Sequence, residues 1–124
     1  MRLLLDTHAL LALLSTDYRL SADARAAIEQ PGASVIGSAV NVWEIAIKRS
    51  IGKLTAPEDL IERADEMGAE LLAITPRHAQ ATAALPLHHR DPFDRLLIAQ
   101  AKLEGCAIVT ADSAFPAYGV PVIW

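Results

Sequence analysis

The chain has 124 residues, 52% of them hydrophobic, 21% charged and only 5% aromatic, with a formal net charge of −4. That is material for one core filled by aliphatic side chains, and it excludes a disordered chain or a second catalytic domain. The acidic balance also counts against a protein that holds nucleic acid by charge alone, because such proteins are usually basic.

Met1-Arg2 followed by leucines imitates a secretory leader, but Asp6 and His8 interrupt it. The apolar stretch over residues 9–14 is six residues long, against roughly 7–15 for the core of a leader. No segment reaches the roughly 18 apolar residues of a membrane span. A cytoplasmic protein without membrane contact is the expectation. Residues 2–6 read as a short apolar strand that stops at an acid. Ser21 is placed to cap a helix over residues 22–30, which Pro31-Gly32 ends.

Residues 35–38 form a second apolar run, and a helix over residues 38–49 follows it. Thr55-Ala-Pro-Glu58 fits a capping box for a helix that runs to about Met67. A third run covers residues 70–74. Thr75-Pro76 then supplies a cap and a first-turn proline before a helix over residues 78–85, and Asp91-Pro92 does the same for residues 93–104, closed by Gly105. The last two runs are 107–110 and 120–123. The single cysteine, Cys106, has no partner for an internal disulfide and reads as a small buried apolar residue.

Short, nearly continuous apolar runs suit strands buried on both faces of a parallel sheet. Their alternation with helices indicates an α/β fold, one domain over residues 1–124, with helices on both faces. In such sheets ligands bind beyond the carboxyl ends of the strands. Four acids fall there. Asp6 follows the first strand, and Asp112 lies two residues beyond Thr110 at the end of the fourth. Glu44 sits near the second turn of the helix that leaves the second strand. Asp94 sits in the first turn of the helix that leads to the fourth.

Helical spacing places Glu44 on one face with Val40, Ile47 and Ile51, and Asp94 with Leu97, Ile98 and Ala101. Each acid has an ordinary role available: a strand-ending turn for Asp6, an i,i+4 pair with Lys48 for Glu44, the helix dipole for Asp94, and a local cap for Asp112. Together, however, they repel one another in a small region, and that repulsion calls for a cation. Oxygen-only donors favour Mg²⁺ or Mn²⁺ over zinc. Asp6, on the most rigid strand end, is the first choice for the central ligand.

Lys48, Arg49 and Lys53 follow Glu44, while Arg90 and Arg95 flank Asp94. Lys48, one turn from Glu44, is the first choice for a substrate phosphate contact. His8, His78, His88 and His89 show no metal-like constellation with cysteine or with one another. Trp43, on the Val40–Ile47 side of its helix, reads as core rather than as a base-stacking platform.

The segments Leu4-Leu-Asp-Thr-His-Ala-Leu-Leu11, Ser38-Ala-Val-Asn-Val-Trp-Glu-Ile-Ala-Ile-Lys48, Asp91-Pro-Phe-Asp-Arg-Leu-Leu-Ile-Ala-Gln-Ala101 and Val109-Thr-Ala-Asp112 resemble, in this order, the PIN-domain family, and in particular the VapC-type toxins of bacterial toxin–antitoxin pairs. The resemblance covers essentially the whole chain. It implies a parallel five-stranded sheet flanked by helices and a Mg²⁺- or Mn²⁺-dependent endoribonuclease acting on RNA. It also implies a homodimer and a cognate antitoxin that occludes the site. The family's acidic positions fall on Asp6, Glu44, Asp94 and Asp112, as catalytic residues and metal ligands, and Thr110 matches a hydroxyl position that supports the last acid. Ala12 stands where many relatives have Trp.

Two other enzyme classes fit less well. A phosphatase of the haloacid-dehalogenase kind needs a second acid two residues after Asp6, where this chain has His8. A phosphoryl-receiver domain gives no reason for acids on both helices. A non-enzymatic alternative is an interaction module whose acidic pocket binds a basic partner segment.

Overall fold

Leu3, Leu4 and Leu5 have no solvent exposure at all, and they make up most of the central strand of a five-stranded parallel sheet. The computed structural model describes residues 1–124. Strand β1 (Arg2–Leu5) pairs with β2 (Ser34–Ser38) on one side and with β4 (Ala107–Val109) on the other. Beyond them lie β3 (Glu70–Leu72) and β5 (Val122–Ile123), giving the order β3-β2-β1-β4-β5. The helices are α1 (Thr7–Leu14), α2 (Ala22–Glu29), α3 (Ala39–Ser50), α4 (Leu60–Glu66), α5 (Pro76–Ala81) and α6 (Pro92–Glu104), with 3-10 turns at Thr82–Ala84 and Phe115–Tyr118.

The strand period of two divides the core into two layers. Leu3 and Leu5 pack with Leu10, Leu11 and Leu14 of α1, Ala24 of α2, and Leu60 and Ala64 of α4. Leu4, Ile36 and Ile108 face Leu97, Ile98 and Ala101 of α6, with Phe115 and Tyr118. Helix α3 serves both layers, giving Ile45 to the first and Val40 to the second. The expected α/β sheet with helices on both faces is therefore present. Gly37 in β2 permits a close approach, since a Cβ there would stand 2.8 Å from Leu71 Cδ2 and 3.4 Å from Leu10. No helix is long and apolar enough to cross a membrane.

Topology selects one crevice. The chain runs outward from β1 to β2 and β3, then returns through α5 and α6 to place β4 on the other side of β1. The winding reverses beside β1, and ligands of open parallel sheets bind at such a switch point, outside the carboxyl ends of the strands. Asp6 N–H donates to the Val109 carbonyl at 3.0 Å, so the ends of β1 and β4 are joined there.

Several elements differ from the sequence expectation. Residues 9–14 belong to a full helix, α1, which Asp6 caps by accepting from Ala9 N. The Thr55 capping box does not form: α4 starts at Leu60, and Asp59 makes no side-chain cap bond. A helix begun at Thr55 would need Ala56 in helical conformation immediately before Pro57, which the proline ring disfavours. The third strand stops at Leu72, two residues early. On α3 the buried residues are Val40, Asn41, Glu44 and Ile45, while Trp43 is 55% exposed and Ile51 60%. Trp43 is thus a surface residue, not core.

Candidate active site

Asp6 ends β1 and begins α1, and both duties fix its carboxylate. Oδ1 accepts from Ala9 N at 2.8 Å and Oδ2 from the Thr110 hydroxyl at 2.5 Å. The residue is buried. Burial pushes its carboxyl above the usual range, and the bonds from Thr110 and Ala9 oppose that rise. Glu44 also raises it, so these two acids are electrostatic neighbours.

Glu44 is only 5% exposed, and α3 is built to hold it. Ser38 caps the helix, and Asn41 reaches back to Ser38 N at 2.8 Å. Asn41 Nδ2 donates to Thr7 Oγ1 at 3.1 Å, and that hydroxyl donates to Glu44 Oε1 at 2.5 Å. Glu44 Oε2 accepts from Lys48 Nζ at 2.5 Å. Lys48, the candidate phosphate contact, here forms the i,i+4 pair with Glu44 that the spacing allows. The same hydrogen bond raises the Lys48 pKa.

Asp94 stands in the first turn of α6, whose cap Asp91 accepts from Phe93 N at 2.8 Å and Asp94 N at 3.2 Å. Burial, and next the Asp91 charge, push the Asp94 carboxyl up to about 7, while His89 pulls it down and Glu44 and Asp6 push it further up. Three acids from β1, α3 and α6 thus repel across one space. Asp112 reaches the site from beyond β4. Its N–H donates to Thr110 Oγ1 at 3.0 Å, and its Oδ1 accepts from Ala114 N at 2.9 Å.

Sequence reasoning missed His89. Its Nε2 lies 2.9 Å from Asp94 Oδ2 and 3.1 Å from Asp112 Oδ2, and these three residues form a group with metal-ligating atoms within 4.8 Å of one another. The helical-face argument could not reach a loop residue; the only signal was proximity to Asp91 and Asp94. Arg95, a sequence candidate for phosphate contact, is instead committed to carbonyls. It binds Pro86 and Thr82 at 2.9 Å each, and Leu85 at 3.3 Å. Cys106 is buried, as expected.

The donor set suits a hard divalent cation. Carboxylate oxygens dominate it, and beyond the effect of burial the nearby charges of Asp91, Glu44 and Asp6 raise the Asp94 carboxyl against the opposing pull of His89. Asp6, Glu44 and Asp94 would hold such an ion, with Asp112 beside Asp94.

The family model described as the PIN domain matches residues 3–121. Among solved structures, the chain is similar to VapBC2 from Rickettsia felis bound to a DNA fragment from their promoter, at 14% identity and a TM-score of 0.71, covering 98% of this chain and 97% of that one. It is also similar to DNA-bound VapBC from Salmonella typhimurium, at 16% identity, TM-score 0.68, and 98% and 96% coverage. A third similar structure is VapBC-1 from nontypeable Haemophilus influenzae, at 14% identity, TM-score 0.65, and 98% and 96% coverage. No curated protein matches the chain. At these identities the structural likeness speaks for the fold.

Proposed function

The chain belongs to the PIN-domain family, and on that premise we propose that it is a metal-dependent endoribonuclease, the toxin of a type II toxin–antitoxin pair. The observation that carries the reading is the gathering of Asp6, Glu44 and Asp94 around the switch point of the sheet, where burial, then Asp91, and further Glu44 and Asp6 push the Asp94 carboxyl up to about 7. An acid site that binds nothing would pay this repulsion without return; a Mg²⁺ or Mn²⁺ ion relieves it.

Asp6, Glu44, Asp94 and Asp112 are the metal ligands and catalytic residues of this reading. A divalent cation bound there supplies Lewis acidity and a water of lowered pKa for phosphodiester hydrolysis. Thr110 and Ala9 N hold the Asp6 carboxylate in one orientation. Thr7 and Lys48 do the same for Glu44. Lys48 is 38% exposed along its side chain, so its ammonium also faces the solvent from which an RNA phosphate arrives.

The similar solved structures include the VapBC complexes, and the Klebsiella pneumoniae match is itself a toxin–antitoxin complex. A cognate antitoxin and a second copy of the chain are the partners this reading requires. The exposed apolar residues Trp43 and Ile47 on α3 and Ile51 at its C-terminal cap support it, because apolar surface is what partners cover.

One observation also favours the non-enzymatic reading, an acidic module that binds a basic segment: Glu44 already takes a cationic side chain, that of Lys48. Cleavage of total RNA by purified protein in Mg²⁺, Mn²⁺ or EDTA, beside Asp6→Asn, separates the two. Discrete fragments that need metal, and that fall by on the order of a hundredfold or more in the variant, are expected for the enzyme. Asn can still cap α1 through its carbonyl, so the fold is kept. No cleavage in any metal, or equal cleavage by both proteins, removes the nuclease reading.

A further inference from the structure

His89 is anchored at its backbone N–H, its carbonyl, its ring edge and its Nδ1. Its backbone N–H donates to the Tyr118 hydroxyl at 2.7 Å, beside that of His88 at 3.1 Å. Its carbonyl accepts from Arg95 at 3.4 Å, the guanidinium that also gathers the carbonyls of the preceding turn. Its ring stands edge-on to Phe115, with centroids 6.1 Å apart. Ring Nδ1 accepts from Asp91 N at 3.2 Å. The anchors come from three places: the start of α6, the buried 3-10 turn before β5, and the Asp91 cap.

Only Nε2 is left, and it points between Asp94 Oδ2 and Asp112 Oδ2. Because Nδ1 accepts a hydrogen bond, the ring proton of the neutral imidazole sits on Nε2. Nε2 is then a donor with no lone pair to offer. A histidine that ligates a metal does the reverse, donating from its second nitrogen while the first binds the ion. The Asp91 N–H therefore argues against His89 as a ligand, although the three residues cluster like one.

We infer that His89 is a positioning residue for the divalent-cation site, its Nε2–H spanning the carboxylates of Asp94 and Asp112 and setting how they meet the ion. The inference rests on the reading of these acids as a cation site. It explains why the segment over residues 82–91 is tied so fully to Arg95 and Tyr118: the ties aim one N–H. Groups that hydrogen-bond to ligating carboxylates fix their orientation, and their loss typically costs about 10–100-fold in metal affinity.

The test is Mn²⁺ binding to the intact chain without RNA, followed by the electron paramagnetic resonance of free Mn²⁺, for wild type, His89→Ala and His89→Gln. The Ala variant is expected to bind about 10–100-fold more weakly. The Gln variant, whose amide nitrogen can reach the same point, is expected to recover most of the loss. Pulsed resonance of Mn²⁺ on the wild type is expected to show no directly bound nitrogen, a readout that needs no variant to fold. Unchanged affinity in His89→Ala, or a directly bound nitrogen in the wild type, overturns the positioning role while leaving the nuclease reading in place. Absence of Mn²⁺ binding by the wild type overturns the cation site itself, and is seen before any variant is compared.

Discussion

The Thr110 hydroxyl donates to Asp6 Oδ2 at 2.5 Å, joining residues 104 positions apart at the ends of adjacent strands. Thr110 Oγ1 also accepts the Asp112 N–H at 3.0 Å. One small side chain thereby fixes the carboxylate that ends β1 and the backbone of the acid beyond β4. The hydroxyl thus touches the last acid, as the resemblance to the family implies, through that acid's backbone, and the first acid through its carboxylate.

Thr110→Val keeps the shape and deletes both bonds. A buried Asp6 oxygen and the Asp112 N–H then lose their partner, at a cost of about 1–3 kcal/mol. Mn²⁺ affinity should fall about 10–100-fold, as for other groups that orient a ligating carboxylate. Thr110→Ser, which restores the hydroxyl, should recover the affinity. Thermal unfolding and Mn²⁺ titration check the two effects separately. Lost stability with unchanged affinity would reduce Thr110 to a core-packing residue.

The strands were legible because burial on both faces leaves a nearly unbroken apolar run, as in Leu3-Leu4-Leu5. Ser21, Ser38, Thr75 and Asp91 cap helices as their chemistry suggests. Helix α1 escaped because five of its eight residues are buried, which leaves no polar face to reveal the period. The face of α3 was misjudged for a related reason. Of the stripe drawn through Val40, Glu44, Ile47 and Ile51, with Trp43 on the same side, only Val40 and Glu44 are buried, and polar Asn41 takes a buried place that the apolar pattern could not mark. Asp6 and Asp112 were placed from strand ends, and Glu44 and Asp94 from helical positions, whereas His89 depends on loop contacts that no local spacing encodes.

Lys48 presents a second test of the site's charge balance. Its Nζ lies 2.5 Å from Glu44 Oε2, and the carboxylate is nearly buried. Lys48→Met leaves that charge with Thr7 as its side-chain donor. In EDTA the variant should lose about 1–3 kcal/mol, the cost of removing one partner of a charge that stays out of water. Mn²⁺ should restore most of the loss if Glu44 faces the ion, because the ion replaces the ammonium. Thermal melts of both proteins in EDTA and in Mn²⁺ measure the difference. An equal loss in both conditions would separate Glu44 from the cation site.

Asp94 gives the metal-free protein a distinctive pH dependence. Burial, then Asp91, raise its carboxyl from 3.8 to about 7 in the folded chain, so over that interval the folded state binds more protons than the unfolded state. Stability must then fall as pH rises through the window, and it is greatest on the acid side. Asp6 is raised as well, again chiefly by burial, and contributes with the same sign. The expected loss from Asp94 is about 1–2 kcal/mol, after allowing for the screening of a partly exposed group. Asp94→Asn should remove most of this slope in EDTA. Mn²⁺ should flatten it in the wild type, because the ion favours the ionised carboxylate, and binding near pH 6 should release protons that calorimetry in two buffers can count. Melting temperatures that rise with pH over the same interval would mean that Asp94 is already ionised and paired without metal, and the repulsion on which the cation site depends would be absent.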